Sequence, residues 1–529
     1  MNVIPFISAN HIILLDNIPL DNGYVHTVKY NNEMEQYNDF VQYKSKYEYD
    51  NLVPIRQGRA IRVPINENDV LTSNYIMFQN SDYSNKWFYA FITDTNYINS
   101  NMCELSFELD VMQTWMFDYQ FMPSFIERQH VSDDSVGSNL INDNLETGEL
   151  VTEFISKMND LLDCNIMACS SVDQGGNDVT GGYYARTYSG LQMLNMGSDS
   201  TGANTVINAF TLAGKRDAII SIFMMPKLLI DTLDTETDGG NQPKSISYNV
   251  NKKQSGSIGG YTPKNNKCYT YPYNYLQVYT GNGNESSLRY EDFDDVKCNF
   301  KVIGETTPNP TIQLIPLNYN GQDEAIQYAL NLSGYPMCAW TSDTYKAWLA
   351  QNASSLVVQR TSAYLGVLGS GLSAVGGAIA TAESSMGGIA LGGIKSALNL
   401  ANAFQGIASL NAQKEDIERL PPQAHGNPQS NIAFNNQSLT FNFYNKHCKP
   451  EFMKIIDDYW TMYGYPIHEL KIPNITARPY YTFLKTQGCN IKGNIPYNDI
   501  VKIRFIYDTG VTTWKTLANV GNYNLDNTL

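Results

Sequence analysis

Hydrophobic and polar positions alternate with a period of two along much of the N-terminal part of the chain. Cys103, Leu105, Phe107, Leu109 and Val111 fall on one face, and Glu104, Ser106, Glu108 and Asp110 on the other. That period predicts a half-solvated β-strand. The run Trp87-Phe-Tyr-Ala-Phe-Ile-Thr93 predicts a second strand, joined to the first through the turn-like Thr93-Asp-Thr-Asn96 as an antiparallel pair. Ile61, Val63 and Ile65 alternate in the same way, as do Leu439, Phe441 and Phe443, and then Val501, Ile503, Phe505 and Tyr507. Between about residues 230 and 310 Asp, Asn, Gly, Lys, Pro and Tyr dominate, which predicts loops and short irregular strands. One helix is clear. Pro450 opens it, Phe452, Ile455, Ile456, Tyr459 and Tyr463 form an apolar stripe, and Gly464 closes it. The expected fold class is mainly β, with antiparallel sheets or barrel-like domains and a few helices.

A different pattern occupies residues 361–413, whose only charges are Glu383 and Lys395. Residues 361–382 form an uncharged run of about 22 residues, long enough to cross a bilayer. Its apolar side chains are Tyr364, Leu365, Val367, Leu368, Leu372, Val375 and Ile379. Met386, Ile389, Leu391, Ile394, Leu398, Leu400, Phe404, Ile407 and Leu410 continue the apolar series. The many glycines each cost about 1 kcal/mol of helix relative to alanine, so this is a poor ordinary transmembrane helix. Its small residues are ordered: Gly366, Ser370, Ala374 and Ala378 recur every four positions, and Gly388-x-x-x-Gly392 follows. Such spacing lets helices pack closely. An apolar stretch of this kind suits a segment that changes partners, first protein and later lipid. Leu400, Phe404, Ile407 and Ile417 then predict a helix over 400–419, stopped by Pro421-Pro422.

Composition narrows the classes. The chain has 529 residues, enough for about three or four domains of ordinary size. Lys and Arg number 36 against 52 Asp and Glu, a formal charge of −16. A general grip on nucleic acid needs clustered cations, so that class is disfavoured. Charged residues make up 17%, against about 25% in a typical soluble domain, and the apolar tract accounts for part of the deficit. The start of the sequence lacks a basic n-region and does not read as a secretory signal. Eight cysteines without a C-x-x-C read as buried free thiols from a reducing compartment.

Catalytic and metal motifs come only as near-misses. Gly388-Ile-Ala-Leu-Gly-Gly393-Ile-Lys395-Ser396 resembles a phosphate loop, but Ile394 separates glycine from lysine. His468-Glu469 begins a zincin motif, and Ile472 stands where the second histidine belongs. Asp234, Glu236, Asp238 and Gly239 mimic half a calcium loop, with Ser245 at the glutamate position. His447-Cys448 has no partner pair at ligand spacing. The expectation is a non-enzymatic protein without cofactor or metal.

Four strings read together. They are Leu109-Asp-Val-Met-Gln-Thr-Trp115 with Phe125-Ile-Glu-Arg-Gln-His-Val131; Asp134-Ser-Val-Gly-Ser with Asn144-Leu-Glu-Thr-Gly-Glu-Leu-Val151; Tyr335-Pro-Met-Cys-Ala-Trp340 with Asp343, Tyr345, Trp348, Gln351 and Asn352; and Asp457-Asp-Tyr-Trp-Thr-Met-Tyr-Gly-Tyr465. In this order, bracketing an apolar insertion, they resemble the tail-knob, or distal tail-tube, proteins of small short-tailed bacteriophages of the phi-29 type. The resemblance implies a hexameric, mainly β tube at the tail tip. Its apolar loops plug the lumen, then insert in the host cytoplasmic membrane and form a channel for DNA. The partners it implies are further copies of the chain, other tail proteins, the membrane, and genomic DNA that passes without specific binding. The corresponding division of the chain is 1–130 and 131–340 for two β-rich regions, 341–423 for the membrane-active loop and 424–529 for a β/α region completing the tube. Two alternatives stand beside it: a tail-associated cell-wall hydrolase, and a purely adhesive or structural tail protein whose apolar tract is a packing core.

Overall fold

The computed structural model describes residues 9–50, 60–80, 84–170, 192–212, 219–230, 244–304, 310–337, 340–342, 423–425 and 434–529. The chain divides into two units and passes between them after residues 149, 254, 273 and 447. Both are built mainly from antiparallel sheet.

The first unit holds residues 1–149, 255–273 and 448–529. Its six-stranded sheet runs in the order Lys44–Asp50, Ala9–Asp16, Ser73–Asn80, Lys86–Asn99, Met102–Leu109, Ala60–Val63. Met102–Leu109 buries Cys103, Leu105 and Phe107 and leaves the residues between them half-buried, as its alternation predicts. Its partner is longer than predicted: Lys86–Asn99 continues through Thr93-Asp-Thr-Asn96, with its register against Met102–Leu109 shifting between Ile92 and Asp94. Those polar residues sit in exposed strand, where a turn composition is tolerated because neither face needs to be apolar. Val111 leaves the sheet and starts the short helix Val111–Thr114. A five-stranded sheet, in the order His26–Val28, Val511–Trp514, Tyr481–Gln487, Ser124–Gln129, Tyr465–Lys471, shares one core with the first.

Two expectations, a strand over 501–507 and the apolar stripe of the 450–464 helix, differ from the structure. Val501, Ile503, Phe505 and Tyr507 lie on the helix Tyr497–Thr509, which buries Ile503, Ile506 and Tyr507 at helical spacing. Val501 and Phe505 are 44% and 69% exposed, so the period of two was coincidental. The helix Pro450–Tyr463 forms between its predicted ends, but its buried face is Met453, Ile456, Asp457, Trp460 and Thr461. Ile455 is exposed. A charged residue at a core position displaced the predicted stripe by one step around the helix.

The second unit holds residues 150–254 and 274–447. A four-stranded sheet (Leu150–Lys157, Phe441–Cys448, Asn274–Thr280, Glu285–Leu288) faces a five-stranded one containing Lys244–Asn251, Lys297–Gly304 and Ile312–Tyr319. Phe443 stacks on Tyr248 at 5.1 Å and meets Phe300 at 5.3 Å across the core. Lys244–Asn251, Asn274–Thr280 and Lys297–Gly304 are thus regular strands where irregular ones are expected, while 252–273 holds turns and the short 3-10 helix Asn266–Tyr269, as the loop expectation has it. Lys297–Gly304 alternates buried and solvated positions along its whole length. Polar Ser, Asn and Lys occupy the wet face, which hid the period in a composition-based reading. A three-stranded sheet, Gln192–Asn195, Cys164–Ser170, Ile219–Pro226, completes the unit beside the helix Ser200–Leu212. No helix among the described residues is long and apolar enough to cross a membrane.

Candidate functional site: a strand neck and two buried polar knots

The predicted membrane-active residues, Tyr364 to Leu410 in the series above, lie outside the described residues, as do the close-packing residues Gly366 to Gly392, the near-phosphate loop, Asp234 to Gly239 and the helix predicted over 400–419. The structure does show how the chain leaves for this insertion and returns from it. Trp340–Ser342 pairs antiparallel with Gln423–His425, Trp340 opposite His425, Thr341 opposite Ala424 and Ser342 opposite Gln423. Residues 343–422 therefore depart and return through a two-stranded neck, as the loop of a hairpin does.

The third motif string anchors that neck. Tyr335 is fully buried and its hydroxyl donates to the Leu161 carbonyl at 3.2 Å. The Pro336 carbonyl accepts the Met224 N–H at 2.8 Å, and Met337 bridges Phe223. Both contacts fasten the approach to the neck onto the strand Ile219–Pro226. Proline suits this spot: it needs only its carbonyl, and its missing N–H leaves nothing unsatisfied.

The first string builds a knot around Asp110. Its carboxylate caps the helix Val111–Thr114, accepting the N–H groups of Met112 at 3.0 Å and Gln113 at 3.1 Å, and takes the Tyr75 hydroxyl at 2.7 Å. Burial pushes its pKa up to about 6, against those hydrogen bonds and the Lys502 charge, which pull it down. Gln113 donates to Thr27 Oγ1 and the Val28 carbonyl, and Trp115 Nε1 donates to Asp499 at 2.9 Å.

The second and fourth strings build a larger knot with the 255–273 segment. Asp457 accepts the Tyr261 hydroxyl at 2.7 Å, the Lys264 N–H at 2.7 Å, and both the backbone and side-chain amides of Asn265. Asp134 accepts the Tyr465 hydroxyl at 2.6 Å and the Asn266 N–H at 3.2 Å. Asp143 takes Trp460 Nε1 at 2.6 Å and pairs with Lys267 at 3.2 Å and with Arg128. Lys267 is itself buried, which lowers its pKa, while Asp143 raises it. Full pairing is what makes buried charge tolerable. His130 lies between the Thr461 carbonyl and the Phe483 N–H, so Nε2 donates and Nδ1 accepts. Burial, then the Arg478 charge, push its pKa down to about 3.

These groups hold backbone; they do not converge on an open reaction centre. Among the described residues no group of three His, Cys, Asp or Glu side chains could hold a metal ion. His468 and Glu469 are exposed on the edge strand Tyr465–Lys471, His468 at φ 48°. The seven described cysteines are buried thiols outside any disulfide. Burial pushes Cys164, Cys169, Cys298, Cys448 and Cys489 up to about 12, which leaves them inert thiols. The roles of Asp134, Asp143, Asn265 and Lys267 leave no local pattern in the sequence, and the last three lie outside the four strings. The available signal was Asp457 itself, a charge at core spacing between Met453, Ile456 and Trp460.

Residues 237–528 match the family model described as the C-terminal domain of tail knob protein gp9 of Bacillus phage phi29. Residues 8–120 match the N-terminus of the caudoviral major tail protein. The chain is 26% identical to tail knob protein gp9 of Bacillus phage phi29 across 99% of each chain, and 27% identical to that of Bacillus phage B103 across 98% of this chain and 99% of the other. The bacteriophage C1 tail knob protein, gp12, has the same fold, with a TM-score of 0.64 at 14% identity over 98% of each chain. Since the gp9 model covers more than half of the sequence, the chain belongs to the tail knob family of phi29 gp9.

Proposed function

We propose that this phage tail knob protein forms, as a ring of copies, the conduit through which DNA leaves the virion. The apolar insertion plugs the bore before infection and enters the host cytoplasmic membrane afterwards. The observation that supports this reading most is the neck. The strands that flank the insertion pair with each other, so its attachment can stay in place while the insertion changes surroundings. The tract's chemistry agrees: 361–413 carries two charges and ordered small residues, which suits close packing among copies and then in lipid. The formal charge of −16 per copy suits a conduit that phosphate slides through without sticking. A non-enzymatic role fits the family and the fully engaged carboxylates of the two knots.

Negative-stain images of the purified protein test the conduit: a ring or tube with a blocked bore supports it, and a monomer without a bore argues against it. Dye release from liposomes tests the membrane step.

A further inference from the structure

We infer that Asn320 is a modification site, selected by the fold for spontaneous deamidation to aspartate or isoaspartate. The chain contains three Asn-Gly pairs, Asn22-Gly23, Asn282-Gly283 and Asn320-Gly321. All six residues are exposed, so access to water does not separate them. Hydrogen bonding does. The Gly23 N–H donates to Asp21 Oδ1 at 2.8 Å, and the Asn22 amide donates to Glu108 Oε2 at 3.2 Å. The Gly283 N–H donates to the Thr280 carbonyl at 3.0 Å, and the Asn282 amide donates to the Ser333 carbonyl at 3.0 Å. In both pairs the glycine nitrogen and the side-chain amide are each held by another group.

The third pair is held by neither kind of bond. Asn320 and Gly321 form the two-residue turn between the strands Ile312–Tyr319 and Gln322–Glu324, where Tyr319 lies opposite Gln322. Both turn residues have positive φ, 53° and 70°. A turn of this kind leaves the N–H of its second residue outside the ladder. Neither the Gly321 N–H nor the Asn320 side chain has a hydrogen-bond partner among the described residues. A Cβ at Gly321 would meet nothing within 4 Å, so a ring that closes there has room.

The reaction needs only water. The Gly321 nitrogen gives its proton to solvent base and attacks Asn320 Cγ. A C–N bond forms, the side-chain nitrogen leaves as ammonia, and a five-membered succinimide results. Water then opens the ring at one of its two carbonyls, giving aspartate or isoaspartate. Each event adds one negative charge. The isoaspartyl product also adds one carbon to the backbone at the residue whose N–H donates to the Asp292 carbonyl at 2.6 Å. A phage tail protein is not renewed after the virion leaves its host, so the product accumulates with age.

The test incubates the full-length folded protein in mildly alkaline buffer. It is then digested at acidic pH, where the reaction is slow, and each Asn-Gly peptide is followed by its gain of one mass unit. Each hydrogen bond that must open first slows the attack by about fivefold, so Asn320 should react about 25-fold faster than Asn22 or Asn282. In urea the three rates should converge to within a few-fold, because the sequence pair is the same. Asp21→Ala, at an exposed position, frees the Gly23 N–H and should speed Asn22 by about fivefold while leaving Asn320 unchanged. Asn22 or Asn282 keeping pace with Asn320 in the folded protein would overturn the inference. So would an Asn22 rate that Asp21→Ala does not move.

Discussion

Asp457 accepts two hydrogen bonds from Asn265, the backbone N–H at 2.9 Å and the side-chain amide at 2.8 Å, across 192 residues of sequence. This pair fastens the 255–273 passage of the chain onto a helix that follows it much later. Replacing Asp457 by alanine strands the Tyr261 hydroxyl and the backbone N–H groups of Lys264 and Asn265, while the Asn265 side chain keeps the residue-457 carbonyl and Thr461. The expected loss is about 3 kcal/mol or more of first-unit stability in urea unfolding. Asp457→Asn keeps one acceptor and loses less. Limited proteolysis should cut the alanine variant first within 255–273.

Two buried groups give opposite pH dependences. Asp110 titrates near 6 when folded and near 3.8 unfolded, so the native state holds the extra proton and stability falls as pH rises from about 4 to 6. His130 titrates near 3 when folded and near 6.5 unfolded, so stability rises with pH over that window. Asp110→Asn should remove a downward trend of up to about 3 kcal/mol, and His130→Gln an upward one. Melting curves of each variant against wild type, taken between pH 4 and 7, measure both differences.

Gly464 and Gly488 separate conformational strain from close packing. Both have positive φ, +65° and +73°. A Cβ at Gly464 would meet the Gln129 carbonyl carbon at 2.4 Å, whereas at Gly488 it would meet nothing within 4 Å. Gly488→Ala should cost about 1 kcal/mol, and Gly464→Ala at least twice that, because the obstacle is backbone. Denaturation midpoints of the two variants decide it.

The neck register is checked by cross-linking. Thr341 lies opposite Ala424, and cross-strand Cα separations match what a disulfide spans. Thr341→Cys with Ala424→Cys should oxidise to a single intrachain bond, seen by peptide mass mapping. Thr341→Cys with Gln423→Cys, one residue out of register, should form it much less readily.

Strands whose apolar residues alternate without interruption were legible in the sequence, as at Cys103 to Leu109 and Phe441 to Phe443. Those carrying Ser, Asn and Lys on the wet face were not, because composition masks period; Lys244–Asn251 is the plainest case. The helix Tyr497–Thr509 misled because Val501 and Phe505 are apolar yet exposed, supplying a false alternation. The family strings were visible, but their work was not. Asp134 meets Tyr465 across 331 residues, and a pairing that distant leaves no local pattern. The neck escaped notice for the same reason: Trp340–Ser342 and Gln423–His425 are too short to show a period.

Dye release from liposomes by the full-length chain and by a variant lacking 343–422 tests the membrane role most directly. Ser342 pairs with Gln423, so a two-residue Asn-Gly turn closes the neck in the variant without disturbing the sheet. The full-length protein should release dye, more strongly at acidic pH where Glu383 is neutralised, and the shortened protein should not. Equal release by the two proteins would contradict the account.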